Sequence, residues 1–245
     1  MSNPTKHNPK KENLLLNLLL NIAIPTLVLM KLSSDQYLGN KLALIVALSF
    51  PIGYGLYDFK TRSKINFFSI LGFVSVLLTG GISLLELDPK YIAIKEASIP
   101  GLLGIATLIS IKTRFPLVKT LLLNESVIEV KKINAALAAR GAEAGFQSSL
   151  HFATVLIAGS FFLSSFLNFV LAKMIVVSSP GTEQFNIELG KLTAMSYPVI
   201  AIPSLIVMFG ILFYLARSIT RHTGLALEDI FVDVQAQAEV EKSKP

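Results

Sequence analysis

Apolar residues in this chain come in long runs separated by short polar segments. Runs at about 14–30, 40–57, 65–85, 93–111, 150–175 and 193–216 are almost free of charge, and nearly all Lys and Arg fall between them. A helix rising 1.5 Å per residue needs about 20 apolar residues to cross a bilayer core of ~30 Å. The pattern therefore predicts an all-α, polytopic membrane protein with six transmembrane helices. Residues 1–13 are expected as a basic cytoplasmic N-terminus and 14–216 as the transmembrane domain, with an amphipathic cytoplasmic connector at about 112–149. Residues 217–245 are expected as a cytoplasmic tail. Lys6, Lys10 and Lys11 precede the first run, as in a signal peptide. That run is long for such a segment, is broken by Asn and Pro, and is followed by no small-x-small cleavage site, so it is expected as a retained helix.

Composition agrees with this. Of 245 residues 52% are hydrophobic and 16% charged, against about 25% charged in an ordinary soluble domain; the mean hydropathy is +0.62. Basic residues set the orientation. Lys6, Lys10, Lys11, Lys60, Arg62, Lys64, Lys112, Arg114, Lys119, Lys131, Lys132, Arg140, Arg217, Arg221, Lys242 and Lys244 fall on one side, sixteen of the 22. Lys31, Lys41, Lys90, Lys95, Lys173 and Lys191 fall on the other. Both termini are thus expected in the cytoplasm. The net charge of +6 then belongs to a surface facing anionic lipid headgroups, and no basic patch interleaved with aromatics points to nucleic acid.

Within the fourth connection, Ser126 and Glu129 have capping-box spacing, and Val127, Val130, Ile133 and Leu137 follow on one stripe up to Gly141. A helix over 126–140 is expected, either on the inner leaflet or as a solvated connector. Leu227, Ile230, Phe231 and Val234 suggest helical continuation into the tail. Each even-numbered run carries Ser-x-Pro, at 49–51, 98–100 and 196–198.

The polar residues inside the runs are the candidate functional positions. Asn17 and Asn21 lie four apart on one face of the first run, followed at the same spacing by Pro25. Pro25 has no N–H for the carbonyl of Asn21, so a kink is expected there. Gly72, Ser75, Thr79 and Ser83 share a face of the third run, which Glu86 ends. Thr154, Ala158, Ser165, Asn168 and Ala172 share one in the fifth. Such stripes either pack helices through close approach and hydrogen bonds, or line a polar path. Lys95 and Glu96 open the fourth run. With Glu86 they form a candidate interfacial charged site, in which Lys95 is expected to snorkel outward. Cysteine is absent, and His7, His151 and His222 are far apart, so no metal site is expected. No nucleophile–base pair, Walker loop or G-x-S-x-G occurs, so neither an enzyme nor a cofactor is expected.

The stretch TGGISLLELDPKYIAIKEASIPGLLGIATLISIKTRFPLVKTLL resembles the bacterial septation protein A family of inner-membrane proteins. The matching residues are Gly80, Gly81, Asp88, Lys95, Pro116 and Leu117, with Asn168 in FLNFVLA; the LNIAIP opening looks closer to a less-studied branch without an assigned role. The resemblance covers roughly 14–216. This chain departs from the family in having no Trp, a longer fourth connection and a longer tail. The resemblance implies a multi-pass bacterial inner-membrane protein that serves envelope maintenance and septation. Its implied partners are membrane lipids and other inner-membrane proteins or a second copy of itself. A small transporter or channel for a lipid or polar solute is the alternative.

Overall fold

The computed structural model describes residues 18–62, 67–113 and 128–230, and among them no strand occurs. A π-turn at Leu19–Ala23 leads into α1 (Ile24–Lys31), followed by α2 (Gly39–Arg62), α3 (Phe67–Leu84) and α4 (Lys90–Ser110). Then come α5 (Val130–Arg140), α6 (Glu143–Ile175) and α7 (Glu183–Ser196). A second π-turn at Tyr197–Ala201 joins α7 to α8 (Ile202–Thr223), and a 3-10 turn covers Glu228–Ile230.

Four stretches are long and apolar enough to cross a membrane: Gly39–Tyr57, Lys90–Ser110, Glu143–Ile175 and Glu183–Thr223. Leu19–Lys31 and Ile70–Leu84 are apolar but shorter. Among the described residues, therefore, four of the six expected runs reach spanning length. The last helical stretch begins ten residues before the expected 193. Thr182 starts it: its Oγ1 accepts from the Phe185 N–H at 3.2 Å, and Glu183 lies in the first turn. Asn186, Glu188 and Lys191 lower the hydropathy there, yet Phe185, Leu189 and Leu192 still give the helix a buried stripe.

By its contacts the chain divides into two units, residues 1–99 with 165–202 and residues 100–164 with 203–245. In the first, Val28 and Leu29 of α1 pack with Ala43, Leu44 and Ala47 of α2, and with Ile92 and Ala93 of α4. Ala172 and Val176 join this core, as do Phe185, Leu189 and Leu192 of α7. The α1–α7 contact is close: a Cβ on Gly190 would lie 2.6 Å from Met30 Cγ and 3.2 Å from the Thr26 carbonyl.

In the second unit, Ile133 and Leu137 of α5 pack with Phe146, Leu150 and Ala153 of α6, Ile211, Leu215 and Ile219 of α8, and Ile230. This corrects the expectation for the connector. Its apolar stripe meets protein rather than lipid or water, while Lys131, Lys132 and Arg140 are exposed. The helix starts at Val130, not 126, and Glu129 is its N-cap with no side-chain capping bond. The Glu129 N–H donates instead to the Ile230 carbonyl at 2.9 Å, which ties the connector to the chain after α8. The expected helical continuation there is a 3-10 turn over Glu228–Ile230; Ser126, Val127, Phe231 and Val234 lie outside the described residues. Leu205, Ile206, Phe209 and Phe213 of α8 are exposed, an outward apolar surface of the kind lipid solvates.

Candidate functional site

Lys95 gathers a polar cluster between two of the apolar helices. It sits five residues into α4 and is only 7% exposed, so it does not snorkel outward as expected. Its Nζ donates to Ser75 Oγ at 3.2 Å, Thr79 Oγ1 at 3.0 Å and Glu96 Oε1 at 2.6 Å. An ammonium has three donors, and all three are used. The hydroxyls stand one turn apart on α3, so a single cation can bridge them. Thr79 Oγ1 also donates to the Ser75 carbonyl at 3.0 Å, and Ser83 Oγ donates to the Thr79 carbonyl at 2.7 Å. Thr79 therefore accepts from Lys95 with its own hydrogen already committed.

The stripe on α3 and the charges on α4, which the sequence offers as two separate candidates, are one site. Glu86 is not part of it. Glu86 lies just past the end of α3 with φ 53°, where the Leu87 N–H reaches the Ile82 carbonyl at 2.9 Å. This is a helix C-terminal motif that usually takes Gly. Its carboxylate pairs with exposed Lys41 at 3.3 Å. Gly72, expected on the interior face, is exposed with open space where a Cβ would be.

The cluster is a neutral unit that pins α3 to α4. Through it α3 and α4 are joined by charge pairing and hydrogen bonding.

The other candidates are dispersed. Ser165 Oγ on α6 donates to the Ala97 carbonyl of α4 at 2.7 Å, a hydrogen bond between two helices. Asn21, Ser165 and Asn168 are half-buried. Pro25 is buried, directly after the π-turn in which the Ile24 N–H bonds the Leu19 carbonyl. The expected break at Pro25 thus takes the form of a register change. Asn17, Pro116 and Leu117 lie outside the described residues. The serines of the three Ser-x-Pro sequences donate to carbonyls of their own helices, at Val46, Ile94 and Leu192.

Two buried polar residues on α7 escaped the sequence reading. Glu188 is 5% exposed. It accepts from the Val177 and Ser178 N–H groups, both at 2.9 Å, and from Ser178 Oγ at 2.7 Å, closing the chain beyond α6. Asn186 donates to Ser33 Oγ at 3.1 Å and the Asn40 carbonyl at 2.6 Å, tying α7 to the α1–α2 turn. Both sit in the polar stretch before 193, where spacing alone does not tell a surface helix from a buried one.

Two carboxylates outside the helical spans are held below their usual range. The backbone and side-chain donors of Lys90 lower Asp88. The Lys132 ammonium, 2.8 Å away, lowers Asp229. Among the described residues no group of three His, Cys, Asp or Glu side chains stands ready to hold a metal. A shallow groove of about 590 Å³ runs along one face of α6, lined by Ala144, Gln147, Ser148, His151, Phe152 and Val155. It shares no residue with the Lys95 cluster.

Among the described residues these features define an all-helical fold with four stretches long and apolar enough to cross a membrane, whose buried polar side chains bond neighbouring helices and loops. No protein-family model matches the chain, and neither does any curated protein or solved structure.

Proposed function

We propose that the chain is a six-span, septation protein A-like protein of the bacterial inner membrane with both termini in the cytoplasm. In this reading it acts in envelope maintenance or septation by binding other membrane proteins, and it is not an enzyme. The two shorter helices complete the six crossings. The observation that carries the reading is that Lys95, Ser75, Thr79 and Ser165 are engaged within the chain. Side chains so engaged support a frame more than a polar path. The resemblance over 14–216 supplies the process and the class of partner.

A transporter or channel for a lipid or polar solute is the second reading. The π-turns that interrupt the first and last helices favour it, because discontinuous helices are where transporters place their sites. Asn21→Leu and Asn168→Leu separate the two. A frame loses a little thermal stability and keeps its cellular function at matched abundance. A stable, abundant but inactive protein in both variants would overturn the frame and establish the path.

A further inference from the structure

Ile22-Ala23-Ile24-Pro25 and Ile200-Ala201-Ile202-Pro203 are the same four residues in the first and last helices. Both follow the same backbone course. A five-residue π-turn ends at the Ala, and the next Ile N–H bonds a carbonyl five residues back, Ile24 to Leu19 and Ile202 to Tyr197. Other prolines inside helices, Pro51 and Pro100, are preceded by no π-turn. The local sequence, rather than proline alone, goes with the altered register.

The two turns also lie level. Asn186 bonds Ser33 and Asn40, while Gly190 faces Thr26, Leu29 and Met30, so α1 and α7 run antiparallel. Seven residues back from Val28 is Asn21, and seven on from Gly190 is Tyr197, a step of ~10 Å along each helix. The packed pair α1–α7 is therefore entered through one π-turn and left through the other at nearly one depth.

Thr26 supplies an independent sign. Thr79, Thr107, Thr154, Thr193 and Thr223 each donate to the carbonyl four residues back. Thr26, whose fourth residue back is Ile22 in the π-turn, has a buried hydroxyl without a partner. Such a group is costly, and it stands directly after the altered register, so hydrogen bonding is incomplete at the point where a hinge would bend.

We propose that the two Ile-Ala-Ile-Pro turns are paired hinges about which the flanking arms, the chain before the first turn and α8 after the second, swing relative to the core that holds α1 and α7. The chain has no Cys, so spin labels can be placed without background. One label pair, Leu27→Cys with Met195→Cys, lies on α1 and α7 themselves; the other, Leu18→Cys with Leu205→Cys, brackets both turns. All four positions are exposed. Distances are measured by pulsed electron spin resonance in lipid nanodiscs. The bracketing pair should give a distribution at least twice as wide as the internal pair, and Pro25→Ala or Pro203→Ala should halve that width while leaving the internal pair unchanged. Equal widths in the unsubstituted protein overturn the proposal, and that comparison decides the matter if a proline variant does not fold. A folded variant that keeps the full width also overturns it.

Discussion

Replacing Lys95 with Met keeps the unbranched stem and removes the ammonium. Three hydrogen bonds disappear, and the Glu96 carboxylate loses its counter-charge in an apolar span. Removing one member of a fully buried ion pair costs about 3–5 kcal/mol. Glu96 keeps 28% of its side chain exposed, so water screens part of the orphaned charge and the expected loss falls to about 2–3 kcal/mol. Neutralising both groups, Lys95→Met with Glu96→Gln, removes the stranded charge and leaves only two lost contacts to hydroxyls. Inter-helix contacts of that kind average about 0.6 kcal/mol in a membrane protein, so the double variant should lose about 1 kcal/mol. The double variant is thus expected to be more stable than the single one. Reversible unfolding in mixed detergent micelles, followed by the helical circular-dichroism band, measures all four corners of the cycle. A Lys95→Met protein within about 0.5 kcal/mol of the parent would refute the reasoning, and so would a double variant at least as impaired as the single one.

Gly190→Ala should destabilise by about 1–3 kcal/mol in the same assay, because its Cβ meets Met30 and the backbone of Thr26, whereas Gly72→Ala, open to its surroundings, should be neutral. Asp229, held low by Lys132, stabilises the contact to α5 at every pH above the ordinary carboxyl range and loses it as pH falls through the lowered folded value. Amide exchange over 225–230, corrected for its intrinsic pH dependence, should therefore quicken only below about pH 4, and Asp229→Asn should remove that difference. Reporter fusions after residue 60 and within 120–145 should read cytoplasmic, and fusions near 35, 90 and 183 external; a cytoplasmic reading at 90 would sink the orientation.

The apolar runs located the helical stretches because burial in lipid leaves a long, uninterrupted signature. Their ends were less legible. Glu183–Leu192 mixes charge with apolar residues, and its helix depends on the Thr182 cap and on packing against α1. The connector stripe at Ile133 and Leu137 is legible in the sequence as a face, but its partner is not. An amphipathic face has the same sequence whether it meets lipid, water or protein, and here Phe146 and Ile219 cover it. For the same reason Gly72 and Thr79, seven apart on one face, differ in burial. Thr79 is covered because Lys95 reaches it, and nothing in the α3 sequence encodes that reach.

Lys95 shows why the polar site was only half visible. A lysine near the start of an apolar run suggests snorkelling, since desolvating an ammonium is costly and water lies a few ångströms away. Here three acceptors outweigh that pull, and two of them come from another helix. The preference is decided by Ser75 and Thr79, twenty and sixteen residues earlier, so no window centred on Lys95 contains the answer. The Ile-Ala-Ile-Pro pair is the opposite case. Its two copies are plain in the sequence, 178 positions apart, yet read alone each is only a proline in an apolar helix. Their meaning comes from a shared backbone register and from antiparallel packing that sets them level. Propensity carries neither fact, because the π-turn satisfies the helix with a different donor and leaves the apolar pattern intact.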